Sequence, residues 1–307
     1  MSILVIGSFM MDLVVRAPRA PENGETVIGD SFARYPGGKG ANQAVTVSRL
    51  GEKVTMIGKL GVDEFGHEAI RTLQEEGVNT DYMLRDPIHP TGVGSVTVDQ
   101  HGDNRIIVVP GANTTYRPDE LDEVTDLIQE ADMIILQLEM NMDLIEKAVN
   151  WAYLYQTPVI LNPAPAAKLS DALLRKITYL TPNESEAEIL TGISVKNLKD
   201  AEQAGRFLLN KGVANVIITL ADKGAVVVNK NGVAHIPAFY VESLDSVAAG
   251  DAFNGALAVG LARKKPLEEV VRYANAVGAL TVTKSGAIPS LPYNHMVEAF
   301  ITQKESV

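Results

Sequence analysis

Cysteine is absent from the sequence, so no disulfide framework, thiol nucleophile or thiolate metal site is available. The histidines are few, five in all, and no two stand at the H-x-x-x-H spacing that would put both imidazoles on one helix face, which excludes the usual structural zinc patterns. No apolar run approaches the roughly 18–20 residues of a membrane span. Residues 1–7 have no basic segment ahead of their short apolar stretch, so a cytoplasmic protein with no membrane association is expected. Basic residues are in the minority, 27 against 38 acidic, leaving a net charge of -11. No cluster of Lys and Arg offsets this locally, so nucleic acid is not an expected partner, and an anionic ligand must be held by a few placed groups. Pro/Ser-rich linkers, repeats and low-complexity tracts are also missing. The chain therefore reads as one domain over 1–307, and its 46% hydrophobic content is enough for a large core.

What is present is an alternation of β-branched apolar runs with helical patterns. Strands are expected at 3–6, 54–57, 133–138, 159–161, 179–181, 216–219 and 225–228, and helices at 65–76 and 201–211, each stopped by a glycine. This order predicts an α/β fold with a doubly wound, mostly parallel sheet flanked by helices. Residues 93–98 and 105–109 break the rhythm. They flank His101-Gly102-Asp103-Asn104 and read as a hairpin, with further short strands expected at 14–16 and 26–28. Together these predict a small β-sheet lid, its strands within about 12–35 and 91–112.

Four segments carry chemistry. In Asp245-Ser246-Val247-Ala248-Ala249-Gly250-Asp251, small residues stand where a helix begins. The amides of Ala248, Ala249 and Gly250 would there lack intrahelical partners and form an anion hole for a phosphoryl group. Asp251 is placed to take the proton of an attacking hydroxyl, although alone it reads more readily as a helix N-cap. Pro36-Gly37-Gly38-Lys39-Gly40-Ala41-Asn42-Gln43 brings backbone close to a ligand ahead of a helix. It is no Walker A loop, since Gly40 rather than Ser or Thr follows the lysine, and no G-x-G-x-x-G follows a strand. Lys39 and Asn42 suit sugar hydroxyls. Asn183 with Glu186 three residues later makes a capping box, or else faces nucleotide phosphates with Mg²⁺ held through water. Thr219 to Gly224 alone reads only as a turn between strands.

Taken together and in this order, these segments resemble the ribokinase-like (phosphofructokinase-B-type) sugar kinase family across essentially the whole chain. Residues 37–44, Gln137-Leu138-Glu139, 161–166, 183–186 and 245–255 carry the resemblance, and 61–66 looks like a further family element. It implies Asp251 as catalytic base, with Ala248, Ala249 and Gly250 as the anion hole. It implies Asp12, Gly38, Lys39, Gly40, Asn42 and Glu139 as sugar contacts. Nucleotide contacts would come from Asn183, Thr219, Ala221, Asp222, Gly224, Gly250 and Asn275, with Glu186 orienting hydrated Mg²⁺. A monovalent cation, K⁺ first, would be held by Asp245, Val247, Thr281, Lys284, Gly286 and Ser290, mostly through backbone carbonyls. A homodimer through the lid is implied as well.

Three positions depart from the family pattern. Met10 stands where Asn is usual in the sugar pocket, Ala221 where Gly is common, and Ala252 where Thr is common. A thioether cannot replace an amide toward a hydroxyl. The expected reaction is therefore transfer of the ATP γ-phosphoryl group to a primary hydroxyl of a small sugar, D-ribose first, with another sugar or a nucleoside as the alternative. A sugar-binding sensor without turnover is the reading from a different class. The joint presence of base, anion hole and magnesium segment argues against it.

Overall fold

The computed structural model describes residues 1–305. Thirteen strands form two sheets: β1 (Ser2–Ile6), β2 (Met10–Arg16), β3 (Ser31–Gly37), β4 (Lys53–Gly61), β5 (Met83–Asp86), β6 (Gly92–Val98), β7 (Asn104–Val109), β8 (Met133–Leu136), β9 (Val159–Leu161), β10 (Tyr179–Leu180), β11 (Asn215–Thr219), β12 (Ala225–Asn229) and β13 (Gly232–Ile236). Nine of them make one sheet in the order β13-β12-β11-β10-β9-β8-β1-β4-β5. It is parallel from β11 to β5 and antiparallel only at the β11-β12-β13 end.

Period-two alternation decides how the sheet is covered. In β1, Ile3 and Val5 enter one core with Val45, Leu257 and Val271 of the helices on that face, while Leu4 and Ile6 enter the other with Leu144, Ile145 and Leu208. Both faces are thus buried under helices, as the near-continuous apolar strands and the alternating element order predict.

The second sheet has the order β3-β2-β6-β7, and β2 starts against Gly38, where an added Cβ would lie 2.6 Å from Met10 N. Its strands overrun the first expected limits by two residues at each end, from Met10 to Gly37 instead of 12–35, while β6 and β7 fall within 91–112. The strand expected at 26–28 does not form. β3 begins at Ser31 and pairs with β2 in full register from Met10↔Gly37 to Arg16↔Ser31. Pro36 obscured this strand, because proline argues against strand in general, yet on an edge such as β3 its missing N–H costs no ladder bond. The lid is rooted in the core by Asp63. This residue caps the helix Glu64–Glu75 through Gly66 N (2.8 Å) and also accepts from Thr91 N and Thr91 Oγ1, both at 2.7 Å, just before β6.

Candidate active site

The residues singled out by sequence gather where the parallel strands end. Ser8 follows β1, Gln137 and Glu139 follow β8, Asn162 follows β9, Asn183 follows β10 and Asp222 follows β11. Ligands of open α/β sheets bind outside the carboxyl ends of their strands.

The glycine loop is pressed backbone to backbone against the β1–β2 connection. A Cβ at Gly40 would lie 2.5 Å from Ser8 N, and one at Gly38, whose φ is +91°, 2.6 Å from Met10 N. The helix Lys39–Arg49 starts there and crosses the helix Ala249–Ala262 at Gly255, where a Cβ would lie 2.7 Å from Thr46 Cβ. That close approach lets side chains of the first helix reach Asp251 on the second. Asp251 is buried. Its Oδ2 accepts from Asn42 Nδ2 at 2.8 Å and its Oδ1 from Gln43 Nε2 at 3.0 Å. The N-cap is Ala248, so Asp251 lies inside the first turn and its carboxylate is held by another helix.

Ahead of Asp251, Ala248 adopts a left-handed conformation (φ 62°, ψ 3°), which is uncommon for a residue with a Cβ and costs about 1 kcal/mol or more. Among the described residues the amides of Ala248 and Gly250 have no acceptor, whereas that of Ala249 makes a long bond to Ser246 O at 3.3 Å. The expected trio of free amides is therefore two free and one loosely engaged. A Cβ built at Gly250 meets nothing within 4 Å. Open space lies in front of this helix start, the place where an anion gains most from unpaired N–H groups.

On the sugar side, Lys39 interacts through its charge with Asp12, Glu139, Glu186 and Asp251, and Glu139 also with Asp12 and Asp251. Burial, with the charge of Glu139 added, pushes the Asp12 carboxyl up to about 6 against the pull of Lys39. Its oxygens rest against Gly37 and Gly94, where a Cβ would fall 3.0 Å from Oδ2 and 2.3 Å from Oδ1. Burial also raises Glu139, which accepts from Ser8 Oγ and, at 3.1 Å, from Lys39 N. Burial opposes the charge on Lys39, but Asp251, Glu139, Glu186 and Asp12 outweigh it and lift its pKa above the ordinary lysine value. Met10 is buried at the root of β2. Its neighbour Phe9 is clamped by Asn113, which accepts from Phe9 N (3.1 Å) and donates to Phe9 O (2.8 Å). Asn42 Oδ1 is buried without a partner, an acceptor placed for a ligand hydroxyl.

On the nucleotide side, Asn183 and Glu186 form the reciprocal capping box. Asn183 Oδ1 accepts from Glu186 N (2.8 Å), and Glu186 Oε2 accepts from Asn183 N (2.9 Å). Burial raises the Glu186 carboxyl while the hydrogen bond from Asn183 N and the charge of Lys39 pull the other way. An isolated parallel bridge joins Asn183 to Thr219, so the turn Ala221–Lys223 stands beside this cap. Ala221 there takes a positive φ of 48°, and a side chain at Gly224 (φ +92°) would strike Ile236 O. Asn275 Nδ2 is already committed to Ile236 O and Pro237 O, both at 3.1 Å, so it anchors the strand end and leaves only its oxygen for a ligand. Asp245 ties two loops together, accepting from Val247 N (3.0 Å) and Gly286 N (2.9 Å), while the Thr281 and Ser290 hydroxyls donate to Val277 O and Ala287 O. Among the described residues no three His, Asp or Glu side chains converge as a metal-binding group, and no helix is long and apolar enough to cross a membrane.

Sequence reading overlooked Asn113, and it gave Gln43, Gln137, Asn162 and Asn254 no role of their own although they stand in the segments that carry the resemblance. Asn254 accepts from Thr181 Oγ1 at 2.6 Å and so joins the end of β10 to the anion-hole helix. Polar residues fully buried inside apolar helix and strand patterns were the available signal.

A carboxylate buried beside open amides, facing a loop of carboxylates and a lysine, suits phosphoryl transfer to a polar, hydroxyl-rich acceptor. Residues 1–294 match the model of the pfkB family carbohydrate kinases. The chain belongs to that family and is a sugar kinase. It is 38% identical over 302 residues to the ribokinase of Bacillus subtilis, covering 98% of this chain and 99% of that protein. It is 35% identical over 306 residues to the deoxyribokinase of Salmonella typhi, covering 99% and 100%. Among solved structures, Arabidopsis thaliana ribokinase complexed with ribose and ATP superposes with a TM-score of 0.93 at 30% identity, covering 97% of each chain. Thermotoga maritima ribokinase superposes with 0.91 at 37% identity, covering 98% and 99%.

Proposed function

We propose that the chain phosphorylates D-ribose with ATP to give D-ribose 5-phosphate. The observation that carries this reading is the Asp251 carboxylate, gripped by Asn42 and Gln43 beside the open amides of its own helix start. The 5-hydroxyl oxygen bonds to the γ-phosphorus, the bond from that phosphorus to the bridging oxygen of ADP breaks, and the hydroxyl proton passes to Asp251. The amides of Ala248 and Gly250, with that of Ala249, hold the charge of the transferring group. Asp12, Gly38, Lys39, Gly40, Asn42 and Glu139 orient the sugar, and Asn183, Thr219, Ala221, Asp222, Gly224 and Asn275 the nucleotide. Mg²⁺ would enter with ATP and be held through water by Glu186, supplying positive charge to the phosphates. Asp245, Val247, Thr281, Lys284, Gly286 and Ser290 suit a monovalent cation such as K⁺, Asp245 giving the charge and backbone oxygens the rest. The lid strand β7, with Ile106, Ile107, Val108 and Val109 all exposed, fits pairing with a second copy, and the cytoplasm supplies both substrates.

The test is ADP release from ATP and Mg²⁺ with D-ribose, with and without K⁺. Sugar-dependent turnover that rises with K⁺ supports the reading. No turnover with ribose or any related pentose would overturn it. Sedimentation of the purified chain checks the dimer, and a monomer at working concentration would remove it.

One observation favours a second acceptor, 2-deoxy-D-ribose. Met10 is buried and offers a hydroxyl neither donor nor acceptor of an amide's strength, and the deoxyribokinase of Salmonella typhi matches over its full length. The ratio of kcat/KM for the two pentoses decides between them.

A further inference from the structure

Gln43 is fully buried, and its amide touches the base. Its Nε2 donates to Asp251 Oδ1 at 3.0 Å and to Asn162 Oδ1 at 3.2 Å, while its Oε1 accepts from Gln137 Nε2 at 2.6 Å. Gln137, also buried, thereby fixes which way the Gln43 amide points. Reversed, that amide would set an oxygen against the Asp251 carboxylate with no water between them, a buried acceptor-to-acceptor contact. Gly7 makes the arrangement possible, since a Cβ there would lie 2.2 Å from Gln137 Oε1. The two donors on Asp251 are not equivalent. Asn42 keeps an unpartnered oxygen and sits in the set expected to meet the sugar, so part of its amide is left for the ligand. Both polar atoms of Gln43 are committed within the protein.

We infer that Gln43 is a positioning residue for phosphoryl transfer: it pins Oδ1 of Asp251 so that the remaining lone pairs face the acceptor hydroxyl, and Gln137 holds Gln43 in the donating orientation. The inference rests on the reading of Asp251 as the base. Lys39, Glu139 and Glu186 also act on Asp251 through their charges, but none of them is in the chain of amides that fixes its rotamer.

Gln43→Met and Gln137→Met, measured by steady-state kinetics and by calorimetry of ribose binding, test this. For Gln43→Met the expected result is a fall in kcat of at least about tenfold, with both KM values within about twofold of wild type, because the lost contact acts on the reacting group and not on ground-state binding. Gln137→Met is expected to lower kcat in the same way by a smaller factor. A folded Gln43→Met with wild-type kcat, or with an effect confined to sugar KM, would overturn the proposal. Should Gln43→Met fail to fold, wild-type kcat in Gln137→Met would overturn it instead. Asp251→Asn is run beside them: wild-type turnover there would remove both the base and its positioning residue, whereas an inactive Asp251→Asn beside an unaltered Gln43→Met would remove the positioning role alone.

Discussion

The two walls of the cleft use glycine for opposite reasons. On the sugar wall, Gly38 and Gly40 stand where backbone meets backbone, and an added methyl would collide at 2.6 and 2.5 Å with Met10 N and Ser8 N. On the phosphoryl wall, Gly250 faces open space, with nothing within 4 Å of the position a Cβ would take. The first pair is required by the fold, whereas nothing in the fold itself requires glycine at Gly250. A glycine-rich motif in a sequence therefore says little until its neighbours are known.

The comparison can be broken most severely at Gly40. Gly40→Ala is expected to destabilise the chain by about 3 kcal/mol, because rigid backbone rather than a flexible side chain meets the new methyl; chemical denaturation measures it, and a loss under about 1 kcal/mol would show that the loop yields. Gly250→Ala should do the reverse. Alanine is the better helix former by up to about 1 kcal/mol, so thermal stability should hold or rise, while kcat falls on the order of 100-fold as the methyl intrudes beside the anion hole. Unchanged kcat in that variant would mean that the transferring group lies elsewhere.

Met10→Asn sharpens the picture of the sugar wall. If the pocket discriminates at Met10, restoring an amide should shift the kcat/KM ratio about tenfold toward ribose over 2-deoxyribose. The smallest expected effect comes from pH. Asp12 lies at about 6, above its ordinary 3.8, because of burial and the charge of Glu139. Below about pH 6 it is protonated and accepts fewer hydroxyl protons, so KM for the sugar should rise as pH falls through this range while KM for ATP stays flat. The linkage runs the other way for stability. The folded chain holds this proton more tightly than the unfolded one, so the Asp12 contribution to stability declines as pH rises from near 3.8 to about 6.

Much of the main sheet was legible in the sequence because its strands are buried on both faces and so appear as unbroken β-branched runs; 159–161 coincides with β9 to the residue. The lid was read less well. β3 carries Pro36 and a mixed pattern with no clear alternation, half-buried for much of its length, and only its full-length register with β2 makes it a strand. Within the site, Asp251 and the glycine loop were visible as local patterns. The roles of Gln43 and Gln137 within those motifs were not, since their meaning lies in contacts with Asp251 across 208 residues and with each other across 94. From sequence Gln43 looks like one polar position on an amphipathic helix. Only the close crossing at Gly255 turns it inward to the base.

The most direct measurement is turnover of Asp251→Asn with D-ribose, ATP, Mg²⁺ and K⁺, alongside calorimetric ribose binding to show that the pocket is intact. Loss of at least about a thousandfold in kcat with ribose binding within a few-fold of wild type is the predicted result, as the variant keeps the shape of the group and removes its capacity to take a proton. Near-wild-type turnover in that variant would contradict the account.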